Sequence, residues 1–263
     1  MTEQQQQIVL INGAGCEVGR AAAKMFAMED AIVILCDQES ETLQEITNEI
    51  FRAGKQATIF FTDVTQPLEV SAMVQQVIEE YGVIDVLVNN TTNHVRRAEK
   101  ERAFEYYTQF FEDLVTSVSL VTASVLPYMR ERKSGRVVHI MPGVIHVGEN
   151  GFPAYAVAQS SLHKMTQVAA ASEREHGILI NILNPGAIRT ELNPFYGEEP
   201  ETILPMLGKL ASLPAGSSSG MLFNVNIMDH LGQIYLENLF DDEEVAYMDD
   251  PDGALDMEEG MKR

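Results

Sequence analysis

Histidine is the side chain best suited to moving protons near neutrality, and the chain has six. His94 follows Asn89-Asn90 at the end of one apolar run, and His146 follows a second run that closes near Pro142. Each could reach a cleft there but reads first as a surface loop residue. His139 lies inside a run and reads as buried and hydrogen-bonded, while His163, His176 and His230 suggest no site. Cys16 precedes a helical stretch, a setting that lowers a thiol pKa, but its neighbour Glu17 pushes the other way. No His, Cys, Asp or Glu set has metal-ligand spacing. The acidic C-terminus lacks the Asp-x-Asp-x-Asp-Gly order of a calcium loop.

The elements that must position these residues follow from the apolar pattern. Ile8 to Asn12 is a strand-like run, followed by glycines and an Ala-rich stretch from Ala21 to Met28: strand, tight turn, helix. Further strand-like runs are Ala31–Cys36, Ala57–Phe61, Ile84–Asn89, Arg136–Ile140 and Ile178–Leu183, with a last one at Gly220–Val225. Helical spacing marks Glu41–Arg52, Leu68–Tyr81, Arg102–Arg130 and Pro153–Glu175 between them. Continuous Val/Ile/Leu strands alternating with helices imply a parallel sheet covered on both faces. Right-handed crossovers make it a doubly wound α/β, Rossmann-type single domain over residues 1–240, with ligands at the carboxyl ends of the strands.

With 263 residues, 45% of them hydrophobic, the chain has the material for one such core. No apolar run approaches the ~20 residues that span a bilayer. The net charge of −21, from 39 acidic and 18 basic residues, repels nucleic acid and anionic lipid, so neither is an expected partner. From Asp241 to Arg263 the chain is an acidic tail, either a solvated segment or a docking segment for a basic partner. The N-terminus, Met1-Thr2-Glu3 and four glutamines, resembles neither a signal nor a transit peptide. Two cysteines form no disulfide framework, and the expected location is cytoplasmic.

Six landmarks in order then resemble the short-chain dehydrogenase/reductase family over residues 7 to 226. They are Gly19-Arg20-Ala21-Ala22-Ala23, Asp63-Val64, Val88-Asn89-Asn90, Leu126-Pro127-Tyr128-Met129, Asn184-Pro185-Gly186 through Thr190, and Tyr155. The resemblance implies a nicotinamide cofactor held by Gly13, Gly15, Gly19, Asp37, Asp63, Val64, Asn90 and Thr190, with Tyr155 as acid/base. Asp37, 24 residues past Gly13, implies NAD(H) rather than NADP(H) through the ribose 2′-hydroxyl; an acid there also suits a helix N-terminus. The family's long helices, here Arg102–Arg130 and Pro153–Glu175, imply a homo- or hetero-oligomer, dimer or tetramer, of similar subunits.

The departures from the family pattern bear on chemistry. Glu17 stands where the middle glycine of the turn belongs. Unit charges ~5 Å apart at an effective dielectric of about 20 to 40 interact by about 2–3 kcal/mol, a loss of about 10- to 100-fold in dinucleotide affinity. The lysine expected four residues after Tyr155 is Gln159, the serine expected thirteen before it is Pro142, and the asparagine of the preceding helix is Leu114. Thr91-Thr92 replace the Ala-Gly that follows Asn89-Asn90. A free tyrosine has a pKa of about 10, and an ammonium ~5 Å away supplies about 3 kcal/mol, or about two pKa units, toward ionising it. Gln159 supplies none, and Lys164, ~13 Å along the helix from Tyr155, is no substitute. The expectation is a catalytically inactive relative, a pseudoenzyme that acts by binding as a regulatory or partner subunit. The alternatives are an NAD(H)-dependent oxidoreductase with a rearranged site, using Tyr155 or His146, and a small-molecule sensor. The segment Asn193–Ala215, with four prolines, shows no recognisable specificity.

Overall fold

A computed structural model of the chain describes residues 6–38, 40–90, 107–108, 111–141, 153–190, 195 and 197–225. Seven parallel strands are β1 (Ile8–Asn12), β2 (Ile32–Asp37), β3 (Ala57–Phe61), β4 (Val86–Asn90), β5 (Gly135–Ile140), β6 (Ile178–Asn184) and β7 (Leu222–Asn224). Their order across the sheet is β3-β2-β1-β4-β5-β6-β7, so the connection direction reverses between β1 and β4. That reversal opens a crevice at the carboxyl edge of the sheet. β1 and β4 are buried along their whole length, which explains why their sequences, IVLIN and VLVNN, are almost unbroken apolar runs.

The helices are α1 (Glu17–Met28), α2 (Ser40–Arg52), α3 (Pro67–Tyr81), α4 (Ser117–Arg132), α5 (Pro153–Glu173) and α6 (Leu204–Ala211). On one face of the sheet, Val70, Met73, Val74 and Val77 of α3 and Val121, Val125, Leu126 and Met129 of α4 pack on Leu10, Ile34, Leu87 and Val137. Ala170 of α5 joins the same core. α1, α2 and α6 cover the other face. The bidentate Arg130–Glu173 pair, at 2.8 and 2.5 Å, ties the ends of α4 and α5 together. Arg130 holds the nearly buried Glu173 carboxyl below its ordinary range.

Several boundaries differ from the sequence expectation. α1 starts at Glu17 rather than Ala21 because Cys16 caps it: its Sγ accepts the Gly19 N–H at 3.5 Å. α6 arises inside the proline-rich Asn193–Ala215 segment, with Pro205 in its first turn, where the missing N–H has no intrahelical role. β7 is shorter than Gly220–Val225. The expected Arg102–Arg130 helix is described from Phe111 as a π-helical turn, Phe111–Thr116, that runs into α4. The Ser117 and Ser119 hydroxyls there donate to the Asp113 and Val115 carbonyls four residues back, which loosens the local ladder. The expected helix Pro153–Glu175 gives way to a 3₁₀ turn at Arg174–His176. The described elements lie in the unit Met1–Asn226. The acidic segment from Asp241 lies outside the described residues.

Candidate functional site: the crevice at the strand ends

The turn after β1 needs its glycines for close approach. Gly13 has φ 75°, and a Cβ on it would lie 1.8 Å from the Asn90 carbonyl oxygen. A Cβ on Gly19 would lie 2.3 Å from the Gly13 carbonyl oxygen, so α1 packs directly on the turn. At Gly15 the neighbour is Asp37: the Gly15 N–H donates to Asp37 Oδ2 at 2.9 Å, and the Gln38 N–H to Oδ1 at 2.7 Å. Asn90 closes the floor from β4. Its side-chain amide donates to the Gly13 carbonyl at 3.0 Å and to Cys16 Sγ at 2.7 Å. Its Oδ1 is buried and has no hydrogen-bond partner among the described residues, a condition that native structures rarely leave unexplained. Glu17, half-buried, is the first residue of α1.

One step outward, Asp63 accepts hydrogen bonds from the Thr65 N–H at 3.0 Å and the Thr65 hydroxyl at 2.6 Å. The Thr65 hydroxyl, opposed by burial, holds its carboxyl below the ordinary range. Val64 packs against the α3 core, and Thr190, half-buried, lies past the end of β6. Gly13, Gly15, Gly19, Asp37 and Asn90 therefore form one connected constellation. No contact joins Thr190 to it among the described residues.

Under the crevice lies a buried polar row absent from the sequence reading. Asn12 Nδ2 donates to Asn89 Oδ1 at 3.1 Å, and Asn89 Nδ2 lies 3.2 Å from both Thr122 Oγ1 and His139 Nδ1. Asn12, Asn89 and His139 are register partners on adjacent strands. Burial pushes the His139 pKa down to about 4, so the ring is neutral at pH 7. The signal was available: Asn12 and Asn89 are polar ends on wholly apolar strands. Cys36, raised to about 12 by burial, is an inert thiol.

The other side of the crevice is different. Gln159 on α5 is buried at 1% exposure, one turn after Tyr155 on the same helix. Leu114 in the π-helical turn is buried at 4% exposure. Neither carries a charge. Lys164 is exposed, and its amine faces Gln167 at 3.4 Å. The Tyr155 side chain and Pro142, Thr91, Thr92, His94, His146 and His230 lie outside the described residues. Among the described residues no group of three or more His, Cys, Asp or Glu side chains is placed to hold a metal. No described helix is long and apolar enough to cross a membrane. Asp37, the glycine turn and Asn90 are the described residues that would hold the adenosine end of a nicotinamide dinucleotide.

Comparison with known proteins agrees with this geometry. The family model for short chain dehydrogenase matches residues 7–201. The uncharacterized oxidoreductase YxjF of Bacillus subtilis is 32% identical over 192 residues, covering 71% of this chain and 73% of its own. The crystal structure of levodione reductase superposes with a TM-score of 0.76 at 25% identity, covering 83% of this chain and 95% of that one. NAD+-bound xylitol dehydrogenase gives the same TM-score at 18% identity, over 84% of this chain and 98% of that one, and shares the fold. With these matches and a seven-stranded parallel sheet of this order, the chain belongs to the short-chain dehydrogenase family.

Proposed function

We propose that this member of an oxidoreductase family acts by binding and does not perform hydride chemistry, serving as a regulatory or partner subunit. The observation that carries the reading is Gln159, a neutral amide buried one turn after Tyr155. A charged lysine at that place would contribute about 3 kcal/mol toward ionising the tyrosine. Burial of a neutral residue instead makes α5 easier to pack and removes that tuning. Leu114 supports the same conclusion, since an apolar side chain fills the place where a polar relay is expected. Any cofactor is NAD(H), from Asp37, and Glu17 weakens its binding.

The partner is a second subunit of the same family, docked on α4 and α5. From Ser117 to Met129 no residue is charged, and from Pro153 to Ser172 Lys164 is the one Lys, Arg, Asp or Glu. In a chain of net charge −21 this is the face on which association meets least repulsion. The exposed Val157 and Val168 add apolar area to it. Two buried cysteines, Cys16 and Cys36, that are not joined in a disulfide suit a reducing, cytoplasmic location.

The second reading, an oxidoreductase with a rearranged site, draws support from the close packing of Gly13 and Gly19 in the turn and from the Asp37–Gly15 bond. One assay separates the two: NADH consumption by the purified chain at millimolar NADH against a panel of aldehydes and ketones. The binding reading expects no rate above the protein-free control. Saturable turnover with any of them establishes the enzyme.

A further inference from the structure

The edge of the sheet opposite the strand-end crevice holds a cavity of about 440 Å³, within the range of small-molecule sites. Its walls come from the amino ends of the strands: Gln7 before β1, Asp85 before β4, and Ser134 and Arg136 at the start of β5. Arg132, the last residue of α4, and Leu213, just past α6, complete them. A strand of five or six residues spans about 17–20 Å, so this cavity is separate from the crevice at the carboxyl ends.

The chain itself fixes two of the walls. Arg136 Nε donates to the Leu213 carbonyl at 2.7 Å, and its Nη1 to the Gly135 and Gly177 carbonyls at 2.7 and 3.3 Å. Asp85 accepts the Ile8 N–H at 2.8 Å with Oδ2 and Arg132 Nη1 at 2.9 Å with Oδ1, so both of its oxygens are engaged. What is left over is donor capacity and positive charge. Arg136 Nη2 and Arg132 Nε and Nη2 have no acceptor among the described residues, and a guanidinium accepts nothing in return. Asp85 pairs with Arg132, while Arg136 forms no ion pair among the described residues and has its pKa lowered by burial.

Two guanidiniums and one carboxylate leave the cavity one positive charge, in a chain whose net charge is −21. A single carboxylate cancels that charge and suits the guanidinium fork. A phosphate group, with about −1.5 to −2 charges near pH 7, overshoots it. A hydrocarbon body would strip water from Gln7, Ser134 and the arginines without replacing its hydrogen bonds. We infer that this amino-edge cavity is a ligand site, distinct from the nucleotide crevice, for a small hydroxylated monocarboxylate.

The test is calorimetric titration of the full chain with gluconate, octanoate and inorganic phosphate. Gluconate is expected to bind saturably at millimolar concentration or below, with octanoate and phosphate each weaker by about threefold or more. Arg132→Gln, at an exposed position, weakens gluconate about tenfold, and the exposed Ser134→Ala about threefold. Far-UV circular dichroism checks that each variant is folded; should Arg132→Gln unfold the chain, Ser134→Ala decides. Absence of gluconate binding at millimolar concentration overturns the inference. So does tighter binding of octanoate or phosphate, or gluconate affinity unchanged in the folded variants.

Discussion

The two halves of the crevice have diverged unequally from what the family fold implies. Around β1, β2 and β4 the contacts are made by backbone or by short side chains wedged against it. Gly13 against Asn90, Gly19 against Gly13, and Asp37 on Gly15 leave little freedom to change. Around α5 and the π-helical turn, Gln159 and Leu114 are buried and carry no charge, at the places where the resemblance expects a lysine and an asparagine. The contrast separates two constraints. The residues wedged in the turn are ones the fold itself needs, whereas Gln159 and Leu114 serve packing alone. A half-site kept by packing is therefore no evidence that the reaction is kept.

The largest effect expected is on the first half. Gly13→Ala places a methyl 1.8 Å from a carbonyl oxygen at a positive φ. It should cost about 3–5 kcal/mol, read as a drop in the urea midpoint at unchanged slope. A loss under about 1 kcal/mol, the range of a tolerated swap, would mean the turn is not wedged as described.

The seam between the halves is tested by acid. His139 titrates at about 4 in the folded chain and near the ordinary ~6.5 when unfolded. The unfolded state binds the proton first, so the stability linked to this ring is fully present above about pH 6.5 and lost as pH falls toward about 4. The loss amounts to about 3 kcal/mol. Below that window the ring contributes no further slope, and the remaining acid sensitivity belongs to carboxylates such as Asp63 and Glu173, which are held low. His139→Asn should flatten the difference between pH 6.5 and 4.5 in chemical denaturation; an unchanged slope would show that the ring is not buried neutral.

The second half is tested by restoration. Glu17→Gly, Pro142→Ser and Gln159→Lys together should raise NADH affinity about 10- to 100-fold by removing the repulsion at the turn. No gain from the triple change would mean that the backbone itself has departed from a dinucleotide site. A smaller effect probes packing alone: Arg130→Ala should cost about 1–3 kcal/mol by leaving the nearly buried Glu173 carboxyl without its partner. Thermal unfolding reads it, and nucleotide affinity should not move.

Most of the sheet was legible because parallel strands buried on both faces read as unbroken apolar runs. β1 and β3 match their expected limits, and the other strands shift by a residue or two. α6 was not legible, since prolines signal a loop unless one asks whether they sit in a helix's first turn. Cys16 as a cap was hidden for a similar reason: cysteine is not a usual N-cap residue, and the Ala-rich stretch drew attention four residues too late. In the crevice, the substitutions at Glu17, Gln159 and Leu114 were visible in sequence order. The burial of Gln159 and the Asn12–Asn89–His139 row depend on strand register and helix facing, which sequence spacing does not set. That no described residue pairs with the Asn90 oxygen is a fact of three dimensions alone.

Calorimetric titration with NADH, and with NADPH alongside, reads the misfit proposed between the family's cofactor and this crevice. No saturable heat is expected for either until the cofactor approaches millimolar concentration, with NADH ahead of NADPH because of Asp37. Saturable NADH binding in the low micromolar range would contradict it and return the chain to the working oxidoreductases of its family.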